Sequence, residues 1–373
     1  MMRGLTGVVG AFLLAVVLWD AFETIVLPRR VTRRVRLTRL FYRSTWRPFR
    51  MTARWVRPGN KRESYLSYFG PLSLLFLLAL WAVVLIFAFG MLQYAAGSAV
   101  QLATESPGFG ADLYLSGTTF FTLGLGDVVP RGSAARLLTV AEAGLGFAFL
   151  AIVVGYFPVL YQAFSRRETN ISLLDARAGT PPSAAELLRR HQGPGGLAAL
   201  EQMLRDWEHW AAELLETHLS YPLLAYFRSQ HTNQSWLAAL TTVLDTSALL
   251  MVQAGGECAR QARLTFAMAR HAVVDLAQVF STPPREAPED RLPPAALARL
   301  RAALAAIDLP LADDPATNAR LTEVRRTYDP YVAALSRYLL QPLPAWHYET
   351  LHRDNWQASP WDKPGPRPHL GES

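Results

Sequence analysis

Two long stretches without a charged residue place the strongest limit on what this chain can fold into. No charged residue occurs between Leu72 and Leu92 or between Ala143 and Phe164. About 20 helical residues cross a hydrocarbon core of about 30 Å, so each stretch is long enough to span a bilayer. Because 51% of the residues are hydrophobic and only 18% are charged, we predict an all-α membrane protein rather than a soluble domain.

A third apolar stretch lies within residues 1–27 and carries Asp20 and Glu23 near its end. A carboxylate at mid-membrane is costly, so we place both near one membrane interface. An apolar run behind Arg3 is also typical of a cleaved signal peptide. No small-residue cleavage site follows the run, which favours a retained first transmembrane helix.

The arginines predict the orientation of the three spans. Residues 28–64 contain thirteen basic residues and one acid, whereas the loop 95–112 contains two acids and no base. Short arginine-rich loops stay in the cytoplasm, so we expect the N-terminus outside the cell membrane and everything after Arg166 inside. The net charge of +7 is concentrated beside a span, which argues against a nucleic-acid partner. The single cysteine, Cys258, excludes an intramolecular disulfide.

The segment between the second and third spans has the spacing of a short helix followed by an ion-binding strand. Residues 111–121 make about three helical turns, enough to enter a bilayer but not to cross it. In the next six residues, 122–127, glycine alternates with larger residues. Glycine accepts positive φ, so successive carbonyls of such a strand can turn toward one axis. Irregular backbone is tolerated at membrane depth only where it lines a watery cavity.

This strand resembles the selectivity filter of the pore-loop potassium channels, which reads Thr-Val/Ile-Gly-Tyr/Phe/Leu-Gly-Asp. The matching residues are Thr122, Leu123, Gly124, Leu125, Gly126 and Asp127. The resemblance implies that the backbone carbonyls of the strand and the Thr122 hydroxyl bind K+. It also implies that Thr118, Thr119 and Asp127 support the filter. Leu125 replaces the commoner tyrosine and lacks the hydroxyl that braces the filter in many relatives, but some members carry the same Gly-Leu-Gly.

The predicted pore module covers residues 66–164. It comprises an outer helix 66–94, a pore helix 111–121, the filter 122–127 and an inner helix 135–164. Glycine and proline weaken the inner helix and predict a gating hinge at Gly144, Gly146 and Pro158; the resemblance points to Gly146 in particular.

One filter strand per chain predicts a homotetramer, because a filter needs four strands around an axis. Conduction would be passive, with K+ as the permeant ion and no cofactor. The motifs of acyl hydrolases, zinc proteases and phosphate-binding loops are absent from the sequence, so we expect no enzyme. The alternative is a non-conducting membrane scaffold or sensor built on a channel module, which would have no need to keep both filter glycines.

The linker 28–65 repeats arginine at Arg30, Arg33, Arg36 and Arg39. A voltage-sensor helix shows similar spacing, but it separates its arginines with apolar pairs and sits in a bundle of four spans. Here Thr32 and Arg34 intervene. We therefore predict an amphipathic helix on anionic lipid headgroups, with Phe41 and Trp46 among the residues dipping inward, and gating that does not depend on voltage.

Residues 165–354 predict an all-helical cytoplasmic domain for assembly or gating, with an unknown ligand. The region lacks the strands of a nucleotide-binding regulatory domain. Two sharper alternatives stay open: an anion held by Arg228, and a metal held by helical side chains. The candidate ligands are His209, Glu213, Asp245, His271 and Asp275. The proline-rich tail, residues 355–373, is predicted to be disordered.

Overall fold

A computed structural model describes residues 2–27, 36–97, 100–102, 108–231, 233–253, 256–350 and 353–357. The chain divides into two compact units, Met1–Ala163 and Phe164–Ser373. Two sequence predictions fall outside the described residues: the start of the arginine series at Arg30 and Arg33, and the tail beyond residue 357.

The first unit is built of helices with one small strand pair, as an all-α membrane protein should be. Its helices are α1 Met2–Ala21, continued by a π-helical turn Phe22–Val26, then α2 Leu37–Trp55, α3 Asn60–Ser67, α4 Phe69–Ala95, α5 Phe109–Phe120 and the start of α6, Ser133–Ala178. Strands β1 Val100–Leu102 and β2 Val128–Pro130 pair antiparallel, with Gln101 opposite Val129. They join the segment before the pore helix to the segment after the filter.

Helix α1 packs closely along α4. A Cβ added at Gly10 would lie 2.8 Å from the Ala88 carbonyl oxygen, and one at Gly7 would lie 2.9 Å from the Ala95 Cβ. Such distances leave room only for hydrogen, so the two glycines permit this approach.

The acids of the first apolar stretch find partners within the protein. Asp20 is buried and accepts a hydrogen bond from the Trp81 indole nitrogen at 3.2 Å. It also accepts from the backbone amide and the hydroxyl of Thr38 in the first turn of α2, where free amides favour a carboxylate. Glu23 accepts from the Trp19 indole at 2.8 Å. The first helix therefore anchors the linker as well as α4.

The buried face of α2 corrects one prediction. Phe41 and Trp46 were expected to dip into lipid, but they pack on α4: the ring centroids of Trp46 and Phe69 lie 4.7 Å apart, and those of Phe41 and Phe76 lie 5.4 Å apart. Each aromatic pair of this kind contributes about 0.5–1.5 kcal/mol beyond the burial of its area.

The inner helix is longer than the predicted range 135–164. Helix α6 begins at Ser133, passes Gly144, Gly146 and Pro158 without interruption, and ends at Ala178. It crosses the boundary between the two units.

The second unit is all-helical in its described part. Its further helices are α7 Ala184–Arg190, α8 Gly196–Ser220, α9 Trp236–Gln253, α10 Gly256–Val279, α11 Pro294–Ala305, α12 Pro315–Arg326 and α13 Asp329–Leu339, with 3-10 turns at Pro222–Tyr226 and Asn355–Gln357. Ser183 accepts from the Glu186 amide at 3.3 Å, and Asp314 accepts from the Thr317 amide at 2.9 Å. Both side chains cap the helix that follows them.

Four helical segments are long and apolar enough to cross a membrane, one more than predicted. They are Met2–Ile25, Asn60–Ala95, Ser133–Ala178 and Trp236–Gln253. The fourth is α9, in which every residue from Trp236 to Leu250 is already buried by protein. A helix that is apolar all round is expected either in a membrane or in the centre of a large domain, and α9 occupies the centre of the second unit.

Candidate ion pore

The pore helix α5 leads into the filter through two backbone hydrogen bonds. The amide of Leu123 donates to the Thr118 carbonyl at 2.7 Å, and the amide of Thr122 donates to the Thr119 carbonyl at 3.0 Å. The two threonines named from the sequence therefore hold the first two filter residues through their carbonyls. The Thr118 hydroxyl donates back to the Leu115 carbonyl at 3.0 Å.

The filter backbone alternates between left-handed and ordinary conformations. Positive φ occurs at Thr122 (57°), Gly124 (55°) and Gly126 (81°), whereas Leu123 and Leu125 keep negative φ. The two glycines adopt this conformation without strain from a Cβ; Thr122 adopts it at a cost, as residues at functional sites often do. This alternation is what turns successive carbonyls toward one side of a strand.

The outer end of the filter has a brace that sequence reasoning missed. The Tyr114 hydroxyl, on the pore helix, donates to Asp127 Oδ2 at 2.8 Å. The other carboxylate oxygen accepts from the Val128 amide at 3.1 Å. Leu125 cannot supply a hydroxyl, and Tyr114 brings one to the filter from the preceding helix. A tyrosine thirteen residues before the filter aspartate was the available signal.

The inner helix contacts the pore helix at two points one turn apart. Glu142 is hydrogen-bonded to the Ser116 hydroxyl, and both side chains are fully buried. A Cβ added at Gly146 would lie 2.2 Å from the Phe120 carbonyl oxygen. Arg136, the basic residue six positions before Glu142, instead points its Nε at the Pro130 carbonyl, 3.5 Å away.

The outer helix α4 contacts both the pore helix α5 and the inner helix α6. The Gln93 side-chain amide donates to the Ala135 carbonyl and to the Thr139 hydroxyl of α6, each at 3.1 Å. A Cβ added at Gly90 would lie 3.2 Å from the Cα of Leu113. The outer helix thus contacts both the pore helix and the inner helix through these residues.

This arrangement agrees with the comparison to known proteins. Residues 76–162 match the family model described as "Ion channel". This part of the chain is a pore-loop ion channel domain. The matched range covers most of α4, the pore helix, the filter and the apolar part of α6.

A relative supports the membrane location of the ion channel domain. The chain is 24% identical over 204 residues to the "Uncharacterized membrane protein YdjJ" of Bacillus subtilis (strain 168), an alignment covering 52% of this chain and 58% of that protein. The chain thus spans less than two thirds of the relative's length. No solved structure matches the chain.

Outside the ion channel domain, the five candidate metal ligands do not come together. In the described part of the chain, no group of three or more His, Cys, Asp or Glu side chains could hold a metal. His271 instead lies 3.6 Å from Asp275 on the same helix. Arg228, the candidate anion ligand, donates to the carbonyls of Leu339 and Leu340.

Asp245, another candidate ligand, belongs to a buried ionic network in the second unit. It is paired with Arg291 and accepts from the Tyr328 hydroxyl at 2.6 Å. Arg291 also reaches Asp329 at 2.8 Å. Burial opposes the charge of Arg291, but the two aspartates raise the pKa of its guanidinium above the ordinary value. The Asp245 carboxylate is therefore bound by Arg291 and Tyr328 and not by the other candidate metal ligands.

Proposed function

We propose that this protein is a potassium-selective channel that conducts K+ passively. The observation that carries the proposal is the alternation of backbone handedness at Thr122, Gly124 and Gly126, directly after a pore helix and inside an ion channel domain. Oxygens arranged in rings can replace the hydration shell of a cation. The proposed ion sites are the carbonyls of residues 122–126 and the Thr122 hydroxyl.

The proposed assembly is a homotetramer. A single strand offers each ion oxygens from one side only, whereas four strands around an axis enclose it. The inner helix also leaves a row of apolar side chains exposed in the single chain, at positions three, four or seven residues apart. The exposed members are Leu137, Val140, Phe147, Leu150 and Val154. Neighbouring subunits would cover such a row.

The proposed topology has three spans, with the N-terminus outside and the second unit in the cytoplasm. The arginine count around α2 supports it. Helix α9, the fourth apolar segment, is assigned to the core of the second unit because protein already surrounds it.

The face of α2 turned away from α4 is proposed to lie on anionic lipid headgroups. It exposes apolar and basic side chains together, a pattern typical of the membrane interface. The exposed apolar and basic residues on and just after α2 include Leu40, Arg43, Arg47, Met51, Arg54, Trp55 and Arg57. Trp55 is 85% exposed, as expected of a side chain at the headgroup level. Vesicles lacking anionic lipid should therefore support less flux than vesicles containing phosphatidylserine.

Gating is proposed to pass from the second unit along α6, without a voltage sensor. Helix α6, Ser133–Ala178, contributes residues to both units. Of the predicted hinge positions, Pro158 lacks the amide that would complete a helical hydrogen bond. Gly146 has a packing role besides, because its Cα faces the Phe120 carbonyl.

The test is ion flux into liposomes that contain the purified protein, with Na+ as the competing ion. We expect K+ flux to exceed Na+ flux and to be abolished in Gly124→Ala. Gly59→Ala is the matched control, since Gly59 also has positive φ (107°) and no atom of the described chain within 4 Å of an added Cβ. Unselective flux, or flux that Gly124→Ala leaves unchanged, would refute the filter assignment. A folded protein silent under all conditions would favour the scaffold alternative.

A further inference from the structure

One hydroxyl joins the pore helix to both neighbouring helices of the ion channel domain. Ser116 Oγ lies 2.7 Å from the Ile86 carbonyl oxygen of α4 and is hydrogen-bonded to Glu142 Oε1 of α6. Ser116 and Glu142 are both 0% exposed, so neither side chain lies at the surface of the folded chain.

The number of hydrogens decides which group donates. A serine hydroxyl has one hydrogen to donate, and a backbone carbonyl can only accept. If Glu142 were ionised, both neighbours of Ser116 would be acceptors, and one hydrogen cannot serve two acceptors at once. If Glu142 instead carries a proton on Oε1, it donates to Ser116 Oγ, and Ser116 donates to Ile86.

The surroundings of Glu142 favour the same state. A buried charge without an ionic partner is expensive. Arg136 is engaged with the Pro130 carbonyl, and Glu142 Oε2 has no hydrogen-bond partner among the described residues. An ionised Glu142 would place a charge on that oxygen without a protein partner among the described residues, whereas a protonated Glu142 would place only a neutral carbonyl oxygen there.

We propose that Glu142 is a protonated positioning residue, which passes a hydrogen-bond chain from α6 through Ser116 to the Ile86 carbonyl. The chain holds the pore helix from behind, two residues before Thr118, whose carbonyl receives the Leu123 amide. The role of this hydrogen-bond chain in conduction rests on the proposed channel function, whereas the existence of the chain is independent of that function.

The first experiment measures the proton directly. Infrared difference spectra of the purified full chain at neutral pH, wild type minus Glu142→Gln, should contain the carbonyl band of one protonated carboxylic acid. A difference spectrum with only carboxylate bands would overturn the proposal. This readout is independent of whether the protein conducts.

The second experiment measures positioning by the ratio of K+ to Na+ flux in liposomes. Glu142→Gln keeps a neutral side chain of the same shape with an amide that can donate, so the ratio should stay within about twofold of wild type. Glu142→Leu and Ser116→Ala break the chain and should lower the ratio about tenfold. Gln93→Leu is the control, since it removes another buried contact between α4 and α6 that bypasses the pore helix.

The outcomes separate the two claims. If Glu142→Gln lowers the ratio as far as Glu142→Leu is expected to, or if Glu142→Leu leaves the ratio unchanged, the positioning role of a protonated Glu142 is wrong. If Gln93→Leu lowers the ratio as much as Ser116→Ala does, the effect is general loosening of the helices and the positioning role is refuted. If wild type shows no flux at all, the proposed function fails, and the infrared band still decides the state of Glu142.

Discussion

Replacing Gly146 with alanine should separate the inner helix from the pore helix. The new Cβ would lie 2.2 Å from the Phe120 carbonyl oxygen, against ordinary contact beginning near 3.4 Å, so the helices must part locally by 3.4 − 2.2 = 1.2 Å. The obstacle is backbone and cannot rotate away. Overpacking of this kind costs about 1–3 kcal/mol. Alanine recovers up to about 1 kcal/mol of helix propensity relative to glycine, so we expect a net loss of stability of about 1–2 kcal/mol.

The assay is thermal unfolding of the purified protein in detergent, followed by flux in liposomes. Gly4→Ala is the control, because it makes the same change in α1 where no described atom lies within 4 Å of an added Cβ. Gly146→Ala should unfold at lower temperature than both wild type and control. It should also lower the K+ to Na+ flux ratio, since Phe120 ends the helix that carries the filter. A Gly146→Ala protein as stable as the Gly4→Ala protein would refute the close contact.

Three further predictions concern other contacts. Tyr114→Phe removes the hydroxyl that reaches Asp127 and should reduce K+ selectivity in the flux assay without unfolding the protein; an unchanged ratio would mean that the brace is dispensable. Arg291→Met leaves Asp245 buried without its cation and should cost about 3–5 kcal/mol in chemical unfolding, and a loss below about 1 kcal/mol would contradict the network. Burial lowers the pKa of His218 well below its ordinary 6.5, so the unfolded chain binds the extra proton first. Stability should therefore fall as pH drops below about 6.5, and the difference in stability between wild type and His218→Gln, measured by unfolding at each pH, should show this slope; a difference independent of pH would refute it.

The pore elements could be predicted because their signals are local. A filter strand is defined by six consecutive residues whose backbone conformation depends on the positions of glycine. The pattern at residues 122–127 can therefore be recognised without knowledge of any tertiary contact. Helix caps are equally short-range, so Ser183 and Asp314 marked two helix starts. Uncharged runs longer than a bilayer also need no tertiary information, because the solvent alone decides where they go.

The partners of polar side chains were beyond the sequence, since those contacts are long-range. Glu142 is an acid in an apolar helix, and its partner Ser116 lies 26 residues away. Nothing local distinguishes Ser116 from other small polar residues of the loop and pore helix. The sequence predicted that Phe41 and Trp46 lie on an apolar face of the linker helix. Only the tertiary structure showed that this face packs on α4 and not on lipid.

The sequence by itself determined the membrane class, the short helix before the filter and the alternating filter backbone, because each follows from the chemistry of adjacent residues. Only the tertiary structure decided that Tyr114 braces Asp127, that Asp20 binds the first turn of α2 and that the apolar helix α9 is enclosed by protein. Those outcomes depend on which helix faces meet, and the free energy of that choice is spread over many contacts between residues far apart in the chain.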